Sequence, residues 1–277
     1  MNKIDFAAIF SVKMANPNGD PLNGNRPRTD YNGFGEISDV CIKRKIRNRM
    51  QDMGKNIFVQ SNERNIDGYK SLSERASKKL DKVKNSDEYA KIACEEWIDV
   101  RSFGQVFAFK SAEKNGVSVG VRGPVSIHQA VSVSPVEVHS LQITKSVNSE
   151  PGDKKGSDTM GMKHMVRFGL YVVKGSINVQ LAEKTGFTEE DAQTIKECLC
   201  SLFENDVSSA RPDGTMEVAK LYWWEHNCPS GQYSSAKVHD LLKITQKEDT
   251  EIPEDICNYD IVLDELPDLK CEIIDGI

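Results

Sequence analysis

The chain has 277 residues, 38% of them hydrophobic and 28% charged, with 36 Lys and Arg against 42 Asp and Glu for a formal net charge of −6. That is the composition of a soluble globular protein with room for a substantial core, and it excludes a disordered or membrane-embedded chain. The longest apolar run near the start, Phe6-Ala7-Ala8-Ile9-Phe10, is too short to span a bilayer. Asp5 interrupts any signal-peptide reading, so a cytoplasmic protein with no membrane partner is expected. Taken alone, the negative charge argues against a nucleic-acid partner, because phosphate binding is driven by Lys and Arg. The average conceals a split. Residues 247–277 hold eleven acids and two bases, a net −9, which leaves residues 1–246 with 34 bases against 31 acids, or +3.

The seven cysteines form no CxxC, and no His stands at zinc-finger spacing from a pair of them. Cys198 and Cys200 point to different faces of a helix. Reduced, mostly buried thiols are expected, with no metal and no cofactor.

In chain order, Ile4, Phe6, Ala8, Phe10 and Val12 alternate, and Ala7 and Ile9 place apolar groups on the opposite side. A central strand covered on both faces follows. Residues 15–35 are a long loop rich in Asn, Pro, Gly and Asp, and loops of this length inside domains are usually functional. Ser38 caps a helix running to about Met53 and ended by Gly54, with Ile42, Ile46, Met50 and Met53 as its buried stripe. Lys43, Arg44 and Arg47 then line one flank; Lys45 and Arg49 line the other. Asn56 to Gln60 reads as a short strand and Tyr69 to Trp97 as polar helix. Beyond Gly104 the pattern turns to β: Val117, Val119 and Val121 alternate, and Val125, Ile127, Val131 and Val133 continue after Gly123-Pro124. Residues 145–163 are an excursion poor in aliphatics. Strand character resumes from Met165 to Leu181. Thr188 caps a further helix with Asp191 at its third position, Asn205 to Gly214 is a loop, and Met216 to Glu225 is a last sheet strand. Lys237 to Ile244 is another short element.

Without insertions the order is strand, helix, strand, strand, helix, strand. This predicts an α+β fold of the split-βαβ, ferredoxin-like type shared with the RNA-recognition module. Residues 1–244 form one such domain, interrupted by a helical segment at about 60–100 and an excursion at about 140–163. An acidic tail occupies 245–277.

Five of the seven residues from Lys43 to Arg49 are basic, and no acid occurs between Val40 and Gln51, so ion pairs cannot form inside that run. Such a face meets phosphates or is simply solvated. Arg26 and Arg28 add two phosphate-capable groups to the first loop. Asp20 and Asp30 there either satisfy turn backbone, bind a divalent ion, or act as a general base. Lys145, Lys154, Lys155, Lys163 and His164 make the excursion basic, and its Met160 and Met162 suit an apolar wedge between bases. Arg211 sits among small residues that allow close backbone approach. No hydrolase elbow, phosphate-binding loop, complete dinucleotide fingerprint or paired-histidine motif occurs.

Several stretches together resemble the CRISPR Cascade backbone proteins of subtype I-C. They are Asn16-Pro17-Asn18-Gly19-Asp20-Pro21, Arg26-Pro27-Arg28, and Ser38 through Asn48, followed by Trp97 through Phe107 and Gly120 through Ser126. Gln142 through Asn148, Ser157 through Gly161, Lys163-His164 and Arg211 through Gly214 complete the set. Lys145 stands where the resemblance leads one to expect Arg, which keeps charge but not bidentate phosphate binding. The resemblance implies a right-hand shape: an RNA-recognition-like palm, helical fingers and a β-hairpin thumb. It implies a non-enzymatic subunit that stacks head to tail with further copies of itself along crRNA and presents the guide to a target DNA strand. Other Cascade subunits and a recruited helicase-nuclease are the further implied partners. RNA contacts carry over to Arg26, Arg28, Lys43, Arg44, Lys45, Arg47, Arg49, Lys145, Met160, Met162, Lys163, His164 and Arg211. Type III backbone subunits, similar in fold, cleave target RNA with a loop aspartate and a divalent ion, a role open to Asp20 or Asp30. A third possibility is an RNA-recognition-like interaction protein that binds no guide.

Overall fold

The computed structural model describes residues 1–81, 83, 85–109, 118–148, 151 and 160–277. Val117, Lys154, Lys155 and the stretch 157–159 lie outside the described residues. In chain order the elements begin with β1 (Ile4–Ala15), β2 (Gly19–Asp20), β3 (Arg26–Pro27), β4 (Phe34–Ile37) and α1 (Asp39–Asp52). The insertion follows as α2 (Leu72–Leu80), α3 (Ser86–Glu96), α4 (Ile98–Phe103), β5 (Gln105–Phe107) and β6 (Val119–Val121). Then come β7 (Val125–Ile127), β8 (Ala130–Pro135), β9 (Val138–Thr144), β10 (Met160–Ile177), α5 (Val179–Thr185) and α6 (Glu189–Cys200). The C-terminal part holds β11 (Met216–Glu225), α7 (Ser235–His239), β12 (Leu242–Gln246), β13 (Tyr259–Leu263) and β14 (Cys271–Asp275).

The result is a mixed α/β structure around one large antiparallel sheet, ordered β14, β11, β1, β10, β8, β4, with β7 and β9 also pairing with β10. Of the four strands that alternate with α1 and α6, the fourth (β11) therefore lies beside the first (β1), then the third (β10), then the second (β8). As its two-sided pattern predicts, β1 is central and buried on both faces. Phe6, Ala8, Phe10 and Val12 pack with Ile42, Ile46 and Met50 of α1 and Ile195 and Leu199 of α6. Ala7 and Ile9 face the other way, into a second core with Leu170, Tyr222, Trp224, Val238, Leu242, Tyr259 and Leu269. A third core, built on Phe58, Ala76, Leu80, Trp97, Phe107 and Val119, holds the insertion together.

The expected caps are present. Ser38 accepts from Cys41 N at the start of α1, and Thr188 and Asp191 form a reciprocal capping box on α6. Gly104 and Gly123, one in each of two recognised motifs, mark a tight crossing. A Cβ on Gly104 would lie 2.4 Å from the Val121 carbonyl oxygen, one on Gly123 2.5 Å from Gly104 N, and the φ of +80° at Gly104 favours glycine as well.

Four expectations are corrected. Asn56 to Gln60 is an irregular segment rather than a strand, with Phe58 buried. Leu181 belongs to a helix, because Asn178 ends β10 by capping α5 through its side chain. In β8 the inward residues are Ala130, Ser132 and Ser134, while Val131 is exposed. Serine fills those places because each hydroxyl has a partner: Ser132 Oγ accepts from Gly35 N (2.8 Å), and Ser134 Oγ bonds Tyr259 Oη (2.7 Å). Finally, the acidic stretch beyond residue 244 is not a free tail. Its β12–β13 pair and its buried Tyr259 and Leu269 cover the second face of the sheet, and β14 extends the sheet's edge. All eleven of its acids remain exposed. All seven cysteines are free, and Cys94, Cys198 and Cys200 are buried. No helix among the described residues is long and apolar enough to cross a membrane.

Candidate nucleic-acid interface

The basic residues of α1 divide by what surrounds them. Lys45 is 1% exposed, paired with Asp206 and set over the Phe203 ring (5.5 Å), and burial pushes its ammonium below the ordinary lysine range despite Asp206. Arg49 donates from Nε to Ser201 Oγ (3.1 Å) and pairs with Asp52 (3.1 Å) and Glu204 (2.6 Å). Arg47 donates to Asp99 (2.9 Å) over the Phe103 ring, and Asp99 also accepts from Phe58 N and Val59 N. Lys43 forms an i,i+4 pair with Asp39 (2.9 Å), an acid one place before the acid-free run. Arg44 is the one of the five that is exposed and forms no ion pair with any described residue. The expected basic flank is thus largely an internal clamp. Desolvated cations need carboxylates, and these come from the insertion (Asp99) and from the loop after α6 (Glu204, Asp206). As they stand in this structure, Lys45 and Arg49 do not offer their charge to an outside ligand.

A different set of groups is brought together beside the β9–β10 hairpin. In its register, Met160 faces Thr144, Met162 faces Gln142, and His164 faces Ser140, so these six share one side. Met160 and Met162 are more than half exposed. The β2–β3 turn reaches the foot of that side: Arg26 Nη1 donates to Ser140 Oγ (3.1 Å), and His164 Nδ1 lies 2.8 Å from the same hydroxyl. Asn16 then links this corner to the 208–211 loop. Its backbone N donates to Ala210 O (2.8 Å) and its side-chain amide to Asn25 O (2.7 Å). Asn16 is buried and its Oδ1 has no hydrogen-bond partner among the described residues. In that loop, Arg211 donates from Nε to Asp206 (2.8 Å), while its terminal nitrogens bond no described residue. Lys163 is half-buried and Lys145 exposed on the same hairpin.

Both loop acids hold turns. Asp20 Oδ1 accepts from Leu22 N (3.2 Å) and lies 3.4 Å from Arg28, and Asp30 Oδ1 accepts from Asn32 N (2.8 Å) and Phe34 N (2.9 Å). Among the described residues no three or more His, Cys, Asp or Glu side chains converge as metal ligands would. Ser140 and Asp206 escape sequence reasoning. Ser140 is a polar residue in a strand, where the only signal is alternation, and Asp206 is one of several acids in a loop. The sheet face that carries Tyr222 and Trp224 is covered by residues from α7 through Leu269, so both aromatics are core.

These contacts join two exposed methionines and His164 on one side of the hairpin to Arg26 and, through buried Asn16, to the loop that carries Arg211, a set of apolar and cationic groups suited to a nucleic-acid strand. Residues 2–264 match the family model "CRISPR-associated protein Cas7", so the match includes the first part of the acidic stretch. The chain belongs to the Cas7 family. The CRISPR-associated protein Cas7 of Haloferax volcanii is 24% identical over 261 residues, covering 88% of this chain and 76% of its own length. A solved chain from a "CRISPR RNA-guided surveillance complex, pre-nicking" superposes with a TM-score of 0.55 at 15% identity, covering 91% of this chain and 84% of that one, a likeness of fold.

Proposed function

We propose that the chain is a crRNA-binding backbone subunit of a type I-C CRISPR surveillance complex, without catalytic activity of its own. The observation that carries this reading is the single strip that runs from Met160 and Met162 through His164 and Arg26 to Arg211, in a member of the Cas7 family. The order β11, β1, β10, β8 supports an RNA-recognition-like palm, the third core supports separate helical fingers, and β9 with the start of β10 supports a thumb. Arg26, Arg28, Arg44, Lys145, Lys163 and Arg211 hold phosphates, and Met160 and Met162 wedge between bases. Contacts of that kind ignore sequence, so specificity is left to pairing between the guide and target DNA. Further copies of the chain stack along the RNA, joined by other Cascade subunits and by a recruited helicase-nuclease, in the cytoplasm. In the cleaving alternative Asp20 or Asp30 would hold the ion through Oδ2, since Oδ1 of each already accepts turn amides, and no second or third ligand converges on either among the described residues.

Filter binding with two single-stranded RNAs of equal length and unrelated sequence tests the reading. Equal affinities are expected, both falling with salt, and both reduced in the Met160→Ala/Met162→Ala variant. A strong preference for one sequence, or no binding at low salt, would overturn it.

A further inference from the structure

The clamp inside the fold has a consequence for the interface. The loop 204–211 carries Arg211, and three of its residues are held from below by cations of α1 and its neighbourhood: Glu204 by Arg49 (2.6 Å), the Asn205 carbonyl by Arg64 (3.0 Å), and Asp206 by Lys45. Asn205 adopts a left-handed φ of 56°, a conformation asparagine takes more readily than other non-glycine residues. Asp206 stands at the junction of two cations. Its Oδ2 takes the buried ammonium of Lys45 from the core side and Nε of Arg211 from the outer side. The Nε bond fixes the plane of the guanidinium and leaves both terminal nitrogens unused by any described residue, which is the fork that grips a phosphate.

We propose that Asp206 is the positioning residue for Arg211: an acid that strengthens RNA binding by aiming a cation, although it touches no RNA. The inference rests on the RNA-binding reading above. Its sign is opposite to that of a simple charge effect. Deleting an acid beside a phosphate site raises affinity when only net charge matters. Deleting Asp206 instead frees Arg211 to swing away, so the aimed contact is lost.

The experiment is salt-dependent filter binding of a single-stranded RNA to the full chain, its variants, and a control, Asp213→Ala, an exposed acid two residues beyond that loop. Asp206→Ala is expected to weaken binding roughly tenfold, the loss of about one hydrogen bond to a charged group. It also makes the slope of log K against log salt shallower by about 0.7, one single-strand phosphate contact. Asp206→Glu restores most of the affinity. On an Arg211→Ala background, Asp206→Ala costs nothing more, because it acts through Arg211. Lys45→Met/Asp206→Ala removes both partners of the buried pair and guards against misfolding; it shows the same RNA phenotype as Asp206→Ala. Asp213→Ala binds as the parent does or slightly tighter. Unchanged or tighter binding by Asp206→Ala, or a further loss on the Arg211→Ala background, overturns the inference. Failure of the parent itself to bind RNA overturns the RNA-binding reading, a separate outcome.

Discussion

Arg44 and Arg47 lie three residues apart on α1, and the structure assigns them opposite duties that two substitutions separate. Arg47→Ala removes the cation from Asp99, which is 1% exposed at its side chain, and uncovers the Phe103 ring. Removing one partner of a buried pair costs about 3–5 kcal/mol, and Asp99 keeps two backbone amides, which sets the expected loss near the lower bound, about 3 kcal/mol. With a denaturant slope of about 3 kcal/mol/M for a chain of this size, the urea midpoint falls by about 1 M. RNA affinity at a temperature where the variant is folded, and its salt slope, stay at parental values. Arg44→Ala behaves in the reverse way. Its stability changes by less than about 0.5 kcal/mol, as for an exposed residue with no ion pair among the described residues, and its salt slope becomes shallower by about 0.7. Urea titration followed by fluorescence, with filter binding from 50 to 200 mM salt, reads both quantities. If Arg47→Ala flattens the salt slope while keeping its midpoint, the division of the helix described here is wrong.

Two further outcomes follow from named side chains. Asp20→Ala and Asp30→Ala each lower stability by about 1 kcal/mol, as the loss of a turn-capping acceptor does, and retain RNA binding. Regularly spaced, Mg²⁺-dependent cuts in a complementary RNA that vanish in either variant would reinstate the cleaving alternative. Burial holds His239 below the ordinary histidine range; its Nε2 donates to Gly175 O (2.9 Å), with Asp5, His128 and Lys174 around it. Because its folded-state pKa is the lower one, the unfolded chain takes up the proton first. Stability is therefore full above pH 6.5 and declines as pH falls from there through the folded-state pKa. His239→Gln flattens that part of the pH–stability profile, measured by urea midpoints between pH 5 and pH 8; a profile as steep as the parent's would refute the assignment.

Local signals in the sequence carried much of this architecture. The period of Ile42, Ile46 and Met50 marked the buried stripe of α1, Ser38 and Thr188 marked caps, and apolar groups at both parities marked β1 as central. What the sequence hid is long-range pairing. The acids that neutralise Arg47 and Lys45 lie 52 and 161 residues away, so the run from Lys43 to Arg49 read as an open basic face. No acid lies between Val40 and Gln51, yet α1 itself begins at Asp39, which pairs with Lys43, and ends at Asp52, which pairs with Arg49. For the same reason the acidic stretch read as a tail: Tyr259 and Leu269 are too sparse to announce a core, and their partners Ile9, Leu170 and Trp224 belong to strands far up the chain. Arg26, Met160, Met162 and His164 were legible as residue types in unusual loops. Their shared side was not, since it depends on the pairing of β9 with β10 and on Ser140.

The most direct test of the central claim is the length of RNA protected from nuclease when the full chain is assembled on a long single-stranded RNA. A stacked, backbone-gripping subunit predicts a ladder of protected lengths rising by one constant step per added copy, the same for RNAs of unrelated sequence. A single protected length tied to one sequence, or no protection at any protein concentration, would contradict the account.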